Sequence, residues 1–251
     1  FTKEEKGAGY ARNIGLSHAR GKWIIFADAD DFFTANCFTI LNEYMDSPHK
    51  VIYFNVRFVM SDDPSQESRR GTYYTNFFND VNPENKLRYQ SQVPWGKMIR
   101  RSFLSTFHIQ FDETRIANDV YFSCLVGIYA PKVTTDRRII YYCTESDQSL
   151  AMSKQDRESL IIRFNASMKC NRLLRQEKIH YYLSPLPWCI PSAKTKEWLP
   201  AKYFFEYLFF FRLQAFKELY YAFSAILSHM NEPATKETDN QCNKKTTNLR
   251  E

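Results

Sequence analysis

An apolar run leads directly into an acidic cluster in the stretch Trp23-Ile24-Ile25-Phe26-Ala27-Asp28-Ala29-Asp30-Asp31. An unbroken apolar run predicts a strand that is covered on both faces, as in a sheet flanked by helices. Open sheets of this kind bind ligands just beyond the carboxyl ends of their strands. The stretch therefore predicts an α/β fold with a polar site at Asp28 to Asp31.

The chemistry of the acidic cluster follows from its spacing. Asp28 and Asp30 stand at i and i+2, so both carboxylates of an extended loop can face one hard cation. Mg²⁺ and Mn²⁺ take such oxygen ligands together with substrate phosphates, and they neutralise a departing diphosphate. The alternative is an acidic helix start, in which Asp31 and the following Thr34 to Asn36 cap the next helix.

The rest of the chain predicts alternating helices and strands up to about residue 150 and only helices after it. Helices are expected at Ala8–Arg20, Asn36–Met45, Arg101–Phe107, Asn118–Ala130, Ser159–Gln176 and Leu199–Met230, and strands at Trp23–Ala27, Val51–Met60, Gln92–Ile99 (after a turn) and, at a sheet edge, Arg138–Tyr142. Polar loops are expected at Ser61–Gly71 and Asn79–Tyr89. The polar tail from Asn231 to Glu251 predicts disorder.

Three further segments carry residues suited to catalysis or binding. Glycines in Gly7-Ala8-Gly9 permit close approach to a phosphate that Arg12 could pair with, although the segment taken alone favours a helix start with a surface arginine. Asp119 at a helix start can act as a general base or simply cap the helix. Trp95 can stack on a sugar ring or belong to the core.

In their order and spacing, these segments resemble the family 2 glycosyltransferases of the GT-A fold. The resemblance is carried by Gly7 to Gly15 with its Ala11-Arg12-Asn13, by the strand and Asp28-Ala29-Asp30-Asp31, by Trp95-Gly96-Lys97, and by Asn118-Asp119-Val120-Tyr121-Phe122. It implies a Rossmann-like mixed sheet over residues 1–150, lacking its first strands, followed by a helical region at 151–230 and the tail at 231–251.

The resemblance also implies a function and site roles. A sugar would pass with inversion from a nucleotide-diphosphate donor, a UDP-sugar in the commonest family case, to a glycan or lipid-linked acceptor in bacterial surface polysaccharide synthesis. Asp30 would bind Mn²⁺ or Mg²⁺, and Asp119 would be the catalytic base. The substrate-binding residues would be Arg12, Asn13, Asp28, Trp95 and Lys97.

Two departures from the family pattern bear on this expectation. Asn118 stands where the family usually has Glu, so a negative charge beside the base is lost. The chain also begins without the strand, helix and second strand that open the family's domain and bind the nucleotide base. We therefore expect a missing N-terminal segment in the native protein.

Composition narrows the partners. The formal net charge is +6 and the pI about 8.9, which favours anionic ligands, while the scattered basic residues form no nucleic-acid module. Six cysteines without CxxC spacing predict buried free thiols in a reducing compartment. The aromatic helix at 199–230 would either pack on the catalytic domain or lie on a membrane surface. We expect a cytoplasmic protein, and the second alternative adds peripheral contact at the inner face of the plasma membrane.

Two other functions compete with sugar transfer. A haloacid-dehalogenase-type phosphatase also places Asp-x-Asp after an apolar strand, but it usually continues with Gly and Thr, where this chain has Asp31 and Phe32. An inactive or truncated transferase that acts in binding or scaffolding is favoured by Asn118 and by the missing front of the domain.

Overall fold

A five-stranded mixed sheet lies at the centre of the chain. The computed structural model describes residues 7–68, 71–145, 156–189 and 199–211. The strands follow the spatial order β1-β4-β3-β5-β2; β3 and β5 are parallel, and the other neighbouring pairs are antiparallel. Their bounds are β1 Trp23–Ile25, β2 Phe32–Phe33, β3 Val51–Met60, β4 Lys97–Arg100 and β5 Val133–Glu145. This mixed sheet with flanking helices is the predicted GT-A architecture.

Helices connect the strands and continue after them. Those up to the end of the sheet are α1 Gly7–His18, α2 Cys37–Asn42, α3 Gly71–Asn79, α4 Pro83–Gln90, α5 Arg101–Thr106 and α6 Asn118–Tyr129. Three more follow, α7 Arg157–Gln176, α8 Leu186–Cys189 and α9 Ala201–Phe211. Most predicted elements are present, with ends that differ by a few residues, as is usual where helices fray.

The core forms around β3, whose first four residues, Val51 to Phe54, are fully buried. A strand with neighbours on both sides and helices over its faces must be apolar throughout, which explains why its sequence does not alternate there. Helix α6 is also buried from two sides. Its Phe122 and Val126 join the core under the sheet, while Val120 and Cys124 pack against α7.

Two predictions for this region are wrong. The strand predicted at an edge, Arg138–Tyr142, belongs to β5, which lies between β3 and β2. The basic residues of this segment are typical of an edge strand. In the structure, Arg138 forms ion pairs with Glu43 and Asp136 instead of facing a neighbouring strand. The loop predicted from Asn79 to Tyr89 contains α4.

Helix α4 begins with local signals that favour a helix. The Asn82 side chain accepts a hydrogen bond from the Asn85 backbone N–H at 3.4 Å, and Pro83 occupies the first turn. Both features are preferred at helix starts, asparagine as the cap and proline at a position that needs no N–H. Because the segment contains few apolar residues, its sequence shows no helical periodicity.

The C-terminal part is described only in pieces. By compactness, the chain divides into Phe1–Tyr203 and Phe204–Glu251. The predicted helix at 199–230 is described as far as Phe211, and its remainder, like the tail at 231–251, lies outside the described residues. No helix in the described ranges is both long and apolar enough to cross a membrane. The described cysteine side chains, Cys37, Cys124, Cys143 and Cys170, are buried free thiols, as predicted.

Candidate active site

The acidic cluster forms the loop between β1 and β2, just beyond the buried strand. The Asp31 backbone N–H donates to the Asp28 carbonyl at 3.3 Å, which closes a tight turn. Asp28 is half-buried and Asp30 is exposed. No described residue bonds to the Asp30 carboxylate, so this group is open to a ligand.

Arg12 on α1 joins this loop to the start of α6. Its guanidinium donates to Asp28 Oδ1 at 2.5 Å and to Asn118 Oδ1 at 2.8 Å. It also lies over the Phe111 ring, 5.5 Å from the centroid. Arginine suits this position because its fixed fork of N–H groups can serve two acceptors at once. The structure thus brings together three residues that the sequence selected from distant segments.

The glycines before Arg12 allow the protein backbone to approach closely. A Cβ on Gly9 would lie 2.1 Å from the Asp112 carbonyl oxygen, and one on Gly7 would lie 2.5 Å from that of Thr114. Gly7 also has a φ of +67°, a conformation that glycine adopts without strain. The close approach packs α1 against the segment that leads into α6, and the phosphate interpretation of these glycines remains a prediction.

Asn13 is fixed by the backbone of a single residue. Its Nδ2 donates to the Phe111 carbonyl at 3.0 Å, and its Oδ1 accepts from the Phe111 N–H at 2.8 Å. This pair of bonds fastens α1 to the approach of α6. A substrate-binding role for Asn13 remains a prediction, and in this structure both polar ends of its side chain already have partners.

Asp119 lies in the first turn of α6, two residues after Ala117, which has a left-handed φ of 52°. Burial raises the pKa of Asp119 above its usual value; the charges of Arg12 and Lys97 oppose this rise, and that of Asp28 adds to it. A carboxylate whose pKa lies closer to neutrality takes up a proton more readily. The electrostatic setting therefore suits a general base.

Lys97 is fully buried behind this region. Its Nζ donates to the carbonyls of Ser91 at 3.1 Å and Val93 at 2.5 Å. Burial lowers the pKa of Lys97 to about 7, against the opposing effect of Asp119. Ser123 on α6 donates to the same Val93 carbonyl at 3.0 Å. Lys97 thus fixes the segment before β4, which Ser123 joins to α6, and its predicted contact with substrate remains untested.

Trp95 is a core residue with 8% of its surface exposed. Its ring packs against those of Phe58, Tyr74 and Tyr141, with centroid distances of 5.7, 5.2 and 6.2 Å. Of the two interpretations that the sequence left open, this geometry favours the core tryptophan over a ring presented to a sugar. Trp95 packs against Tyr141, and the Tyr141 hydroxyl in turn bonds to the acidic loop.

Asp31 does not cap the next helix. The cap position of α2 is Asn36, which makes no side-chain cap bond. The Asp31 carboxylate instead accepts bonds from the Tyr141 hydroxyl at 2.8 Å and the Thr144 N–H at 2.7 Å. Burial raises the pKa of Asp31, and these two bonds lower it. Sequence reasoning missed Tyr141 and Thr144, since no local pattern shows which strand will lie beside the loop.

A third residue that the sequence did not indicate is Arg163 on α7. Burial lowers the pKa of Arg163, and the negative charge of Asp119 raises it. The helical region after the sheet therefore brings positive charge near the candidate base. No local pattern in the sequence shows that α7 packs against α6.

Residues 1–107 match the family model described as glycosyl transferase family 2. Among solved structures, S. aureus TarS 1–349 in complex with UDP-GlcNAc is similar, with a TM-score of 0.54, 17% identity, and coverage of 71% of this chain and 54% of that one. S. aureus TarS 1–349 in complex with UDP has a TM-score of 0.50, 19% identity, and coverage of 75% and 50%. The chain thus spans about half the length of these structures.

No curated protein sequence gives a significant match. At these identities the TarS structures show the fold, and the family model shows the relationship by sequence. The order of the matched segments, the mixed sheet and the acidic loop at its edge agree with both. Residues 1–107 of this chain thus match the family 2 glycosyltransferases by sequence, and its fold is of the GT-A type.

Proposed function

We propose that the protein transfers a sugar from a nucleotide-diphosphate donor, a UDP-sugar, to a hydroxyl of a glycan or lipid-linked acceptor in bacterial surface polysaccharide synthesis. The observation that carries this proposal is Arg12, which bonds Asp28 of the acidic loop and Asn118 at the start of α6. This contact places the loop suited to a donor beside the helix start that carries Asp119.

The donor end is supported by charge and by the solved structures. The net charge of +6 favours an anionic ligand such as a nucleoside diphosphate. TarS has been solved with UDP-GlcNAc and with UDP, so UDP-GlcNAc is the first donor to test. Arg12 occupies one oxygen of Asp28, which leaves the other able to accept a hydroxyl of the ribose or sugar.

A divalent ion fits the acidic loop if it arrives with the donor. No group of three or more His, Cys, Asp or Glu residues suited to a metal occurs in the described part of the chain. Mg²⁺ and Mn²⁺ need fewer, because one or two carboxylates suffice when substrate phosphates complete the ligand set. The Asp30 carboxylate, which is exposed and has no partner among the described residues, would hold the ion. The ion would supply charge neutralisation for the diphosphate.

Asp119 would serve as the base at the acceptor end. Its carboxylate would take the proton from the acceptor hydroxyl while that oxygen forms a bond to the anomeric carbon. The bond from the anomeric carbon to the diphosphate oxygen would break, its electron pair leaving with the nucleoside diphosphate. Attack from the opposite face inverts the configuration. The family match ends at residue 107, so this role rests on the position and raised pKa of Asp119.

The test is release of nucleoside diphosphate by the full-length protein, with a panel of nucleotide sugars and candidate acceptors in the presence of Mn²⁺. Asp119→Asn should lower kcat about 10²- to 10⁴-fold, the usual contribution of a positioned base. Asp30→Ala should abolish the response to Mn²⁺. The matched control is Asp62→Asn, an exposed loop carboxylate far along the chain from both. Wild-type rates for both site variants would overturn the assignment.

A binding or scaffold domain is the second candidate, and the neutral Asn118 in place of the family's usual Glu favours it. It predicts that UDP binds while no donor is turned over, with or without Asp119. The phosphatase alternative is set aside, because the matched family and the fold are those of glycosyltransferases.

Peripheral membrane contact through residues 199–230 is a separate part of the proposal, and it does not depend on the active site. Liposome flotation of the full-length protein, with and without residues 199–251, tests it. Loss of flotation on truncation would support the contact, and equal behaviour of the two proteins would count against it.

A further inference from the structure

Two residues near the end of β5, Tyr141 and Thr144, bond to three residues of the acidic loop. The Tyr141 hydroxyl accepts from the Asp28 N–H and donates to Asp31 Oδ2, each at 2.8 Å. Thr144 donates its N–H to Asp31 Oδ1 at 2.7 Å and its hydroxyl to the Asp30 carbonyl at 2.8 Å. The loop is therefore fixed at both ends and in the middle.

These contacts sort the three carboxylates of the loop. Both oxygens of Asp31 are occupied by β5, and one oxygen of Asp28 is occupied by Arg12. The Asp30 backbone is bonded to Thr144, but its carboxylate has no partner among the described residues. Fixing the backbone while leaving this side chain free presents Asp30, and not Asp31, to a ligand.

The Tyr141 hydroxyl is held in position because its ring is buried and packed on both sides. The residue is 1% exposed, and β5 pairs it with Phe33 on one side and Val56 on the other. Its ring is stacked on Trp95 with an interplanar angle of 24° and meets the edge of Phe33 at 5.3 Å. A hydroxyl has one proton to donate and lone pairs to accept with, and both capacities are used here.

We propose that Tyr141 is a positioning residue of the transferase, which sets the acidic loop in the conformation that binds the diphosphate and its metal ion, with Thr144 as its partner. Trp95 then acts on the site by holding the Tyr141 ring, which gives the buried tryptophan a function without contact with substrate. The proposal rests on the proposed function, since it concerns how the same loop binds its donor.

The experiment compares Tyr141→Phe with Tyr142→Phe in the full-length protein. The first keeps the buried ring and removes only the bridging hydroxyl. The second removes the neighbouring hydroxyl on the other face of β5, whose ring is stacked on Phe32 at 4.9 Å. For each variant, the affinity for UDP is measured by calorimetry across a series of Mn²⁺ concentrations, and the melting temperature is measured without ligand.

Tyr141→Phe should weaken Mn²⁺-dependent UDP binding about 10- to 100-fold, as expected when a partner that orients a metal ligand is lost. The donor KM should rise in the same proportion, with kcat at saturation changed much less. Tyr142→Phe should bind as the wild type does. Thr144→Val should weaken binding in the same sense, and Thr144→Ser, which retains the hydroxyl and the N–H, should restore it.

A merely structural role makes a different prediction: a lower melting temperature for Tyr141→Phe, with unchanged dependence on Mn²⁺. That result would overturn the proposal. The proposed function fails separately, if wild-type protein does not bind UDP or if Asp30→Ala binds it as the wild type does with Mn²⁺. Loss of binding in Asp30→Ala together with normal binding in Tyr141→Phe would reject only the positioning role.

Discussion

The acidic loop at Asp28 to Asp31 and the first turn of α6 at Asn118 and Asp119 lie on either side of Arg12, yet different parts of the chain hold them. The loop is anchored by Tyr141 and Thr144, more than a hundred residues later. The α6 turn is the start of a buried helix, and charges from α1, β4 and α7 act on it. One half depends on hydrogen-bond geometry and the other on electrostatics.

The two halves should therefore be sensitive to different substitutions. Removing a single hydroxyl should disturb the loop, because its backbone has few other anchors. The α6 turn should tolerate small losses of shape but respond to any change of charge, because burial strengthens the effect of nearby charges on Asp119. Arg12 bonds to both halves, so its removal should disturb both at once.

Arg12→Ala should lower kcat/KM about 100-fold or more, since it strips a charged partner from Asp28 and a donor from buried Asn118, a loss of about 3 kcal/mol. Arg12→Lys should recover only part of it, because one ammonium cannot reproduce the two-pronged contact. Steady-state kinetics measure both. Arg20→Ala, an exposed arginine just after α1, is the control. Full activity of Arg12→Lys would show that the two contacts do not act together.

Asn118→Glu tests the electrostatic half alone. A new negative charge beside Asp119 should raise the pKa of Asp119 further, because like charges disfavour ionisation. The base must be deprotonated to act, so activity is lost as the pH falls through this pKa. The acid limb of kcat/KM against pH should therefore move to higher pH. Asn118→Gln adds length without charge and should leave the limb in place; an equal shift in both variants would contradict the electrostatic explanation.

Lys97→Met should change how stability depends on pH. The folded-state pKa of Lys97 is about 7, below its usual 10.5, so between these values the unfolded chain binds the proton that the folded protein has lost. Stability contributed by this group therefore rises with pH across that window. Urea unfolding at pH 7 and pH 9.5 should show a smaller gain in Lys97→Met than in wild type. An undiminished gain would place the ammonium in a more hydrated setting than the structure shows.

Trp95→Phe should have the smallest effect on the site. The smaller ring loses part of the contact with Tyr74 and Tyr141. Unfolding free energy should fall about 1 to 2 kcal/mol, less than for truncation of a core tryptophan to alanine. Donor KM should rise only slightly, because Trp95 acts through Tyr141. Denaturant unfolding alongside kinetics checks both, and a large rise in KM with unchanged stability would favour direct contact with sugar.

Elements with a strong local pattern could be predicted from sequence. Strand β3 runs from Val51 to Met60 as expected, and α6 and α7 begin within two residues of their predicted starts. The acidic loop was predicted where it lies, since an apolar run that stops at carboxylates marks a strand end. These signals need only a few neighbouring residues.

What could not be predicted depends on distant neighbours. The position of β5 inside the sheet is set by pairing with β3 and β2, which its own residues do not encode. For the same reason, the sequence does not show that the Asp31 carboxylate bonds to Tyr141 and Thr144, while that of Asp30 has no partner among the described residues. Trp95 suits a core and a sugar platform equally well by composition, and only its burial distinguishes them.

In the proposed function, Asp30 faces the donor, while Asp31 fixes the loop through its bonds to Tyr141 and Thr144. A crystal structure of the full-length protein with UDP and Mn²⁺ tests it most directly. We expect Mn²⁺ bound to the Asp30 carboxylate and to diphosphate oxygens, with Asp31 still bonded to Tyr141 and Thr144 and Arg12 still joining Asp28 to Asn118. Mn²⁺ on Asp31, or a diphosphate bound away from this loop, would contradict the account.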